Sequence, residues 1–118
     1  MSKNILIVVN ASPYGSERSL SALRLAATLS QYDDCSDVNV FLISDGVGIA
    51  LSGQDVGTQQ THEFLVKQII ENGGKILLCQ TCIHSRGLQN ANWIDGVEVG
   101  TMQDLAKWTL EADNILSF

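Results

Sequence analysis

The stretch Asn-Ile-Leu-Ile-Val-Val, at residues 4–9, indicates the fold class of this chain. Its apolar residues follow one another without alternating with polar ones, which is typical of a strand that is buried on both faces. Strands of this kind belong to parallel sheets that are covered by helices. The residues that follow also fit such a sheet, because a turn-rich connection at 10–15 leads to apolar residues at helical spacing. They predict a helix over residues 17–32, capped by Ser16.

The alternation of strand and helix continues along the chain after a polar break at residues 33–37. Four further strands are predicted, at residues 38–43, 75–79, 97–99 and 114–118. Three further helices are predicted, at residues 61–72, 83–90 and 102–112, the last opened by a Thr101 and Asp104 capping pair. Five strands alternating with helices predict one α/β domain over residues 1–118. We expect three α/β/α layers and a mostly parallel five-stranded sheet, flavodoxin-like in general layout.

Length and charge narrow the function classes. The chain has 118 residues, of which 45% are hydrophobic and 17% are charged, which is typical of one compact domain. Seven Lys and Arg residues against 13 Asp and Glu residues give a net charge of -6, which disfavours direct nucleic-acid binding. The apolar run at residues 5–9 is too short for a signal peptide or a membrane span. We therefore expect a cytoplasmic protein without membrane association.

A reactive thiol is predicted at residues 76–87, Ile-Leu-Leu-Cys-Gln-Thr-Cys-Ile-His-Ser-Arg-Gly. An apolar strand ends at Cys79, and sites in open α/β sheets form outside the carboxyl ends of the strands. A cysteine is nucleophilic as the thiolate, and cations or a helix N-terminus lower its pKa from the free value of about 8.5. Cys82, His84 and Arg86 add a second thiol, an imidazole and a guanidinium. These four residues are the candidate catalytic group.

Each candidate also has a purely structural interpretation. A cysteine at the end of an apolar strand, such as Cys79, is often a small buried hydrophobe. His84 is then a surface helix residue, and Arg86 is solvated or pairs with a carboxylate. Cys35 lies in a polar loop with nothing nearby to activate it. His62 is expected to be exposed.

The spacing of Cys79, Cys82 and Arg86-Gly87 resembles the DsrE/DsrF family, specifically its YchN-like branch. Two further stretches share this resemblance, which covers essentially the whole chain. They are Ile-Val-Val-Asn-Ala-Ser-Pro-Tyr-Gly-Ser-Glu at 7–17 and Ile-Asp-Gly-Val-Glu-Val-Gly-Thr at 94–101. The resemblance implies a three-layer α/β fold, a homo-oligomer (trimer or hexamer), and sulfur handling through a cysteine persulfide. In sulfur-relay members the acting cysteine ends a central strand, and the matching residue here is Cys79. Protein sulfur donors and acceptors are the implied partners.

Cys82 departs from the relay members of that family, which often have a small residue there. An adjacent thiol can attack a persulfide, release sulfide and leave a disulfide. The resemblance therefore implies that Cys79 takes up sulfur and that Cys82 is a resolving thiol. Arg86 would stabilise the anion, and His84 would add charge or shuttle a proton.

Three other interpretations stay open. The first is a dithiol oxidoreductase using Cys79 and Cys82, although the chain's single proline, Pro13, does not suit a thioredoxin. The second is a zinc site, but Cys79, Cys82 and His84 have no further ligand nearby, so we predict neither a metal ion nor a cofactor. The third is a non-catalytic oligomer that binds a small ligand at the loop of residues 10–16 or binds a partner protein.

Apolar residues that exceed the needs of a small core indicate an interface between subunits. They are Trp93, Trp108, Phe118 and the weakly charged segment 47–51, with packing in the core as the competing explanation for the two tryptophans. Residues 44–60, with four glycines, are predicted to form a short helix under a loop or a flap. In an oligomer this segment of one subunit would cover the cysteine of its neighbour.

Overall fold

A computed structural model of the chain describes residues 2–54 and 61–118. In chain order its elements are β1 (Lys3–Val9), α1 (Arg18–Leu29), β2 (Cys35–Leu42), a 3-10 helix (Ser44–Ala50), α2 (His62–Glu71), β3 (Lys75–Cys79), α3 (Gln80–Ser85), β4 (Glu98–Gly100), α4 (Met102–Glu111) and β5 (Asn114–Ser117). None of the helices in these residues is long and apolar enough to cross a bilayer.

The five strands form one sheet in the order β4-β3-β2-β1-β5, and every pair is parallel. The predicted five-stranded α/β architecture is confirmed. Strand β1 has neighbours on both sides, and Leu6, Ile7 and Val9 are fully buried. The unbroken apolar run of β1 is therefore explained by burial on both faces.

The connections place helices on both faces of the sheet. Helix α1 connects β1 to β2, and helix α2 connects β2 to β3. These two helices pack against each other. The connection through α4 crosses the sheet in the reverse direction, from edge strand β4 to the opposite edge strand β5. Because such crossovers are right-handed, α4 lies on the face opposite α1 and α2. Trp108 of α4 packs edge-on against Phe41 of β2, with ring centroids 6.3 Å apart.

Strand β2 begins earlier than the sequence predicts. Cys35 pairs in register with Lys3 of β1, and the Ser36 hydroxyl donates to the Asn4 side chain at 2.8 Å. Pairing with β1 therefore draws residues 35–37 into the sheet despite their polar character. The expectation that Cys35 lies in a loop was wrong, since it is the half-buried first residue of a strand.

The helix after Cys79 also lies elsewhere than predicted. It was expected at residues 83–90, whereas α3 spans Gln80–Ser85 and follows β3 with no intervening loop. Gly87 adopts φ 68°, and the Leu88 N–H donates to the Ile83 carbonyl at 3.0 Å. A left-handed glycine with this hydrogen bond ends a helix, so α3 stops before the predicted segment does.

Residues 44–50 form a 3-10 helix beneath the surface and not a flap. Val47, Ile49 and Ala50 are fully buried, so the prediction that they form an apolar surface was wrong. A Cβ at Gly46 would overlap the backbone oxygen of Val9, so only glycine allows this close approach to β1. Trp93, Trp108 and Phe118 are half buried against the core. The remainder of the predicted flap, residues 55–60, lies outside the described residues.

His62, expected to be exposed, is buried at the start of α2. Only 4% of its surface is accessible, and its Nε2 lies 3.1 Å from the Ser19 hydroxyl of α1. Thr61 caps α2 by accepting a hydrogen bond from the Phe64 N–H, which fixes the helix start beside α1. Burial lowers the pKa of His62, so the imidazole is neutral near pH 7. The expectation of an exposed residue was wrong because helix periodicity does not reveal which helices contact each other.

Candidate functional site

Cys79 lies at the carboxyl edge of the sheet, where β3 meets α3. It is the last residue of β3 and occupies the position immediately before the first turn of α3. Its backbone is extended, with φ -61° and ψ 116°. Because no loop separates strand from helix, Cys82 follows within the first turn of α3. The geometry therefore brings the two thiols together.

The sulfur of Cys79 is surrounded by hydrogen-bond donors. Its Sγ lies 3.3 Å from the Thr81 hydroxyl, and the Cys82 thiol is placed to donate to it as well. Burial raises the pKa of the Cys79 thiol, but donation from Cys82 and Thr81 outweighs burial and holds the pKa below its ordinary value. Hydrogen bonds to the charged form favour that form. Cys79 is thus the more acidic thiol of the pair.

The pKa of Cys82 is shifted in the opposite direction. Burial and then the neighbouring Cys79 raise the pKa of its thiol, and donation from the Ser44 N–H at 3.1 Å lowers it only in part. Cys82 is therefore the less acidic of the two thiols. Two thiols this close titrate as a pair, so the proton on Cys82 and the charge on Cys79 belong to one coupled system.

Ser44 connects the thiol pair to the centre of the sheet. It lies two residues after the end of β2, at the start of the 3-10 helix, and adopts φ 57°, a left-handed conformation that is uncommon for a residue other than glycine. In this conformation its N–H points at the Cys82 sulfur. Strands β2 and β3 are neighbours, so this contact across 38 residues depends on the order of the strands. No local sequence signal could have identified it.

Arg86 is held at the end of α3 by an ion pair with Asp45. Its Nη2 and Nε donate to the same Asp45 carboxylate oxygen at 2.9 and 3.1 Å, and its Nη1 donates to the Cys82 carbonyl at 3.2 Å. The guanidinium therefore faces a carboxylate, and its charge lowers the pKa of Cys82 only weakly. The pairing with a carboxylate anticipated for Arg86 is the arrangement observed.

His84 lies apart from the two thiols. Its side chain is exposed and borders a surface depression shared with Gln89, Trp93 and Val99. Neither Cys79 nor Cys82 lines this depression. Of the four candidates, the structure thus places the two cysteines together, Arg86 beside Cys82, and His84 at a separate surface.

A cavity of about 190 Å³ opens beside Cys79. It is lined by Cys79, Gln80 and Thr81 from the junction of β3 with α3, and by Thr101, Met102 and Gln103 at the start of α4. Cys79 itself is only 4% exposed. A reactant small enough to enter the cavity can therefore contact a thiol that is otherwise buried.

Sequence reasoning missed the role of Thr81. Its hydroxyl, 3.3 Å from the Cys79 sulfur, is the nearest oxygen donor to the thiolate. A signal was present, because Thr81 lies between the two cysteines and falls in the first turn of any helix that begins after Cys79. The misplaced start of that helix concealed it.

The other proposed sites gain no support from the geometry. The Asn10 and Ala11 N–H groups both donate to the backbone oxygen of Phe118, at 2.9 and 3.3 Å, so neither is directed at an anion in the loop of residues 10–16. Within residues 2–54 and 61–118, no three His, Cys, Asp or Glu side chains are close enough to hold a metal ion.

Known proteins resemble this chain over nearly its full length. Residues 3–118 match the model of the DsrE/DsrF-like family. Protein YchN of Escherichia coli K12 is 40% identical over 116 residues, covering 98% of this chain and 99% of that protein. The uncharacterized protein MK0008 of Methanopyrus kandleri is 39% identical and covers 97% of this chain and 93% of that protein.

Solved structures agree with these relatives. The crystal structure of the ychN protein from E. coli matches with a TM-score of 0.91 at 41% identity and covers both chains completely. A protein of unknown function from Methanobacterium thermoautotrophicum, MTH1491, matches with a TM-score of 0.70 at 13% identity over both full chains, a likeness of fold alone. These names state no activity, so they describe the family and its architecture.

Replacement of Cys82 by alanine tests the coupling of the thiols. Cys82→Ala removes a donor to the Cys79 thiolate, so the pKa of Cys79 should rise and its alkylation by iodoacetamide should require a higher pH. Peptide mass spectrometry across a pH series measures the midpoint at Cys79. Cys35→Ala is the matched control and should leave that midpoint unchanged. A midpoint that stays the same or moves to lower pH in Cys82→Ala would contradict the coupling.

Proposed function

This chain belongs to the DsrE/DsrF-like family, and from that premise we propose that it takes up and passes on sulfur as a persulfide on Cys79. One observation carries the proposal: the Cys79 sulfur lies at the carboxyl end of β3 with the Thr81 hydroxyl and the Cys82 thiol as donors. These donors stabilise the thiolate, which is the form that attacks sulfur. The residues are those of a sulfur-accepting nucleophile.

Uptake is a thiol exchange that needs no external oxidant. The Cys79 thiolate attacks the outer sulfur of a donor persulfide, a new sulfur–sulfur bond forms, and the donor departs as a thiolate. Transfer repeats the step in reverse, because the thiolate of an acceptor attacks the outer sulfur and Cys79 leaves as a thiolate. Thr81 and Cys82 stabilise the charge on Cys79 before uptake and again after release.

A second candidate function uses Cys82 as a resolving thiol. The placement of the Cys82 thiol against the Cys79 sulfur favours it, as does the Ser44 N–H that would stabilise a Cys82 thiolate. The Cys82 thiolate would attack the inner sulfur of the Cys79 persulfide. The Cys79–Cys82 disulfide then forms and hydrosulfide leaves with the electron pair of the broken bond. The protein would in this case discharge sulfur as sulfide.

The proposed setting is cytoplasmic, with proteins as sulfur donors and acceptors. Free thiols at Cys35, Cys79 and Cys82 suit a reducing compartment. The net charge of -6 supports a protein partner over direct contact with the phosphates of a nucleic acid. Arg86 and His84 keep supporting roles in this proposal. Arg86 fixes the end of α3 through Asp45, and His84 lies on the exposed surface of α3.

The proposal includes a homo-oligomer, a trimer or a hexamer, that buries one face of the subunit. Helix α4 has no buried residue, and Leu110 on it is 88% exposed. Edge strand β5, which follows α4, also exposes Ile115 and Leu116. Exposed apolar side chains on a helix beside an open sheet edge are typical of an interface. A second copy of this chain is the partner that we propose for this face.

Light scattering after size-exclusion chromatography tests the oligomer. The wild type should elute as a multiple of the 12.8 kDa subunit, and Leu110→Glu should shift it toward the monomer because a charge would be buried in the interface. Thr28→Glu places the same charge at an exposed position of α1 and should leave the assembly intact. A wild type that is monomeric at 12.8 kDa would remove this part of the proposal.

Intact-protein mass spectrometry tests the persulfide chemistry. Wild type, Cys79→Ala, Cys82→Ala and the control Cys35→Ala are incubated with inorganic polysulfide or with glutathione persulfide. We expect a gain of about 32 Da per sulfur that is absent only in Cys79→Ala, because Cys79 is the thiolate. In the discharge function, the wild type would instead end about 2 Da lighter as a disulfide, whereas Cys82→Ala would keep the sulfur. Failure of every variant to gain mass with both donors would show that Cys79 is structural.

A further inference from the structure

We propose that the cavity beside Cys79 binds a short inorganic polysulfide, and that this small molecule is a direct sulfur donor to Cys79. The inference rests on the persulfide function proposed above and adds to it the class of donor. Its support comes from the access that the cavity gives to the thiol, from the cavity's volume and from the chemistry of its walls.

The cavity gives access to Cys79 and not to Cys82. Cys79 lines it together with two residues of α3 and three at the start of α4. Cys82 is not among the lining residues, and its sulfur instead accepts the hydrogen bond from the Ser44 N–H. A molecule in the cavity therefore meets one of the two thiols. This arrangement lets a donor load Cys79 without first contacting the thiol that would resolve the product.

The volume limits the donor to a few atoms. At about 190 Å³ the cavity is smaller than the roughly 300–1,000 Å³ of sites for drug-sized molecules. It is closer to the engineered cavity of about 150 Å³ that holds benzene. A chain of a few sulfur atoms fits inside, whereas a persulfide of a tripeptide such as glutathione can place only its terminal sulfur there.

The walls suit an uncharged and polarisable chain. Apart from Cys79, the lining side chains are two amides, two hydroxyls and the thioether of Met102. The Thr101 hydroxyl is already used, because it donates to the Asp104 carboxylate at 3.1 Å and accepts from the Asp104 N–H. Lysine, arginine and histidine are absent from the described lining residues, so the charged end of any donor stays outside the cavity and its uncharged sulfur atoms enter. Soft sulfur–sulfur contact with Met102 favours a polysulfide.

The chemical step balances without an added oxidant or reductant. The Cys79 thiolate attacks the terminal sulfur of a hydropolysulfide, the bond between that sulfur and its neighbour breaks, and the electron pair leaves on a polysulfide one sulfur shorter. The proton of the terminal sulfur passes to the product polysulfide, which leaves Cys79 as a perthiolate. The charged end of the donor stays at the mouth of the cavity in solvent, with its terminal sulfur directed at Cys79.

Narrowing the cavity tests the assignment. Met102 is 57% exposed, so Met102→Trp should fold while its larger ring fills the space beside Cys79. Because the donor would no longer align with the thiolate, the rate of sulfur uptake from inorganic polysulfide should fall by about tenfold or more. Thr28→Trp places the same ring at an exposed position of α1, outside both the cavity and the proposed interface, and should load like the wild type. Mass spectrometry gives the rates, and alkylation of Cys79 across a pH series, read by peptide mass spectrometry, shows that this thiol still ionises in each variant.

Comparison of donors completes the test. Wild type should load faster from inorganic polysulfide than from glutathione persulfide, and Met102→Ala, with a wider cavity, should reduce that preference. If Met102→Trp loads from polysulfide as fast as the wild type, the cavity is not the route. If the wild type loads only from glutathione persulfide, polysulfide is not the donor and the persulfide function stands. If the wild type loads from neither donor, the proposed function and this inference both fail.

Discussion

The thiolate of Cys79, held between the Thr81 hydroxyl and the Cys82 thiol, is the interaction on which the account of this protein depends. It exists because β3 passes into α3 without a loop, which places Cys82 within one helical turn of Cys79. Two thiols alone would leave the position of the proton undetermined. The Thr81 hydroxyl acts on the Cys79 sulfur and burial dominates at Cys82, so the pKa of Cys79 is lowered and the pKa of Cys82 is raised.

The sheet supplies the surroundings of this pair. Strand β2 lies next to β3, so the residues that follow both strands meet at one edge, where Ser44 reaches Cys82 and Asp45 holds Arg86. On the other side of β3, strand β4 leads into the start of α4, which forms the far wall of the cavity. Cys79 is thus approached through the cavity, while Cys82 faces the segment after β2. In the function that we propose, the parallel fold would separate the entry of a donor at Cys79 from the resolving thiol of Cys82.

The sequence predicts the fold well because its signals are local. The apolar run of β1 requires burial on both faces, and the strands recur at intervals that only crossover helices can span. The position of Cys79 is also predicted from a local signal, because this residue ends an apolar strand. Ser44, the Asp45 pairing of Arg86 and the buried contact between His62 and Ser19 could not be predicted, because each joins residues that are distant in the sequence. Cys35 was misplaced because pairing with β1 overrides the polar character of its neighbours.

An experimental structure of the protein after treatment with inorganic polysulfide is the most direct test of the central claim, since it locates the added sulfur. The account predicts one extra sulfur atom bonded to the Cys79 sulfur and lying in the cavity between α3 and the start of α4, or a Cys79–Cys82 disulfide in crystals where discharge has followed. In Cys82→Ala crystals the extra sulfur should remain on Cys79. Sulfur found on Cys35 or Cys82 with Cys79 unmodified would contradict the account.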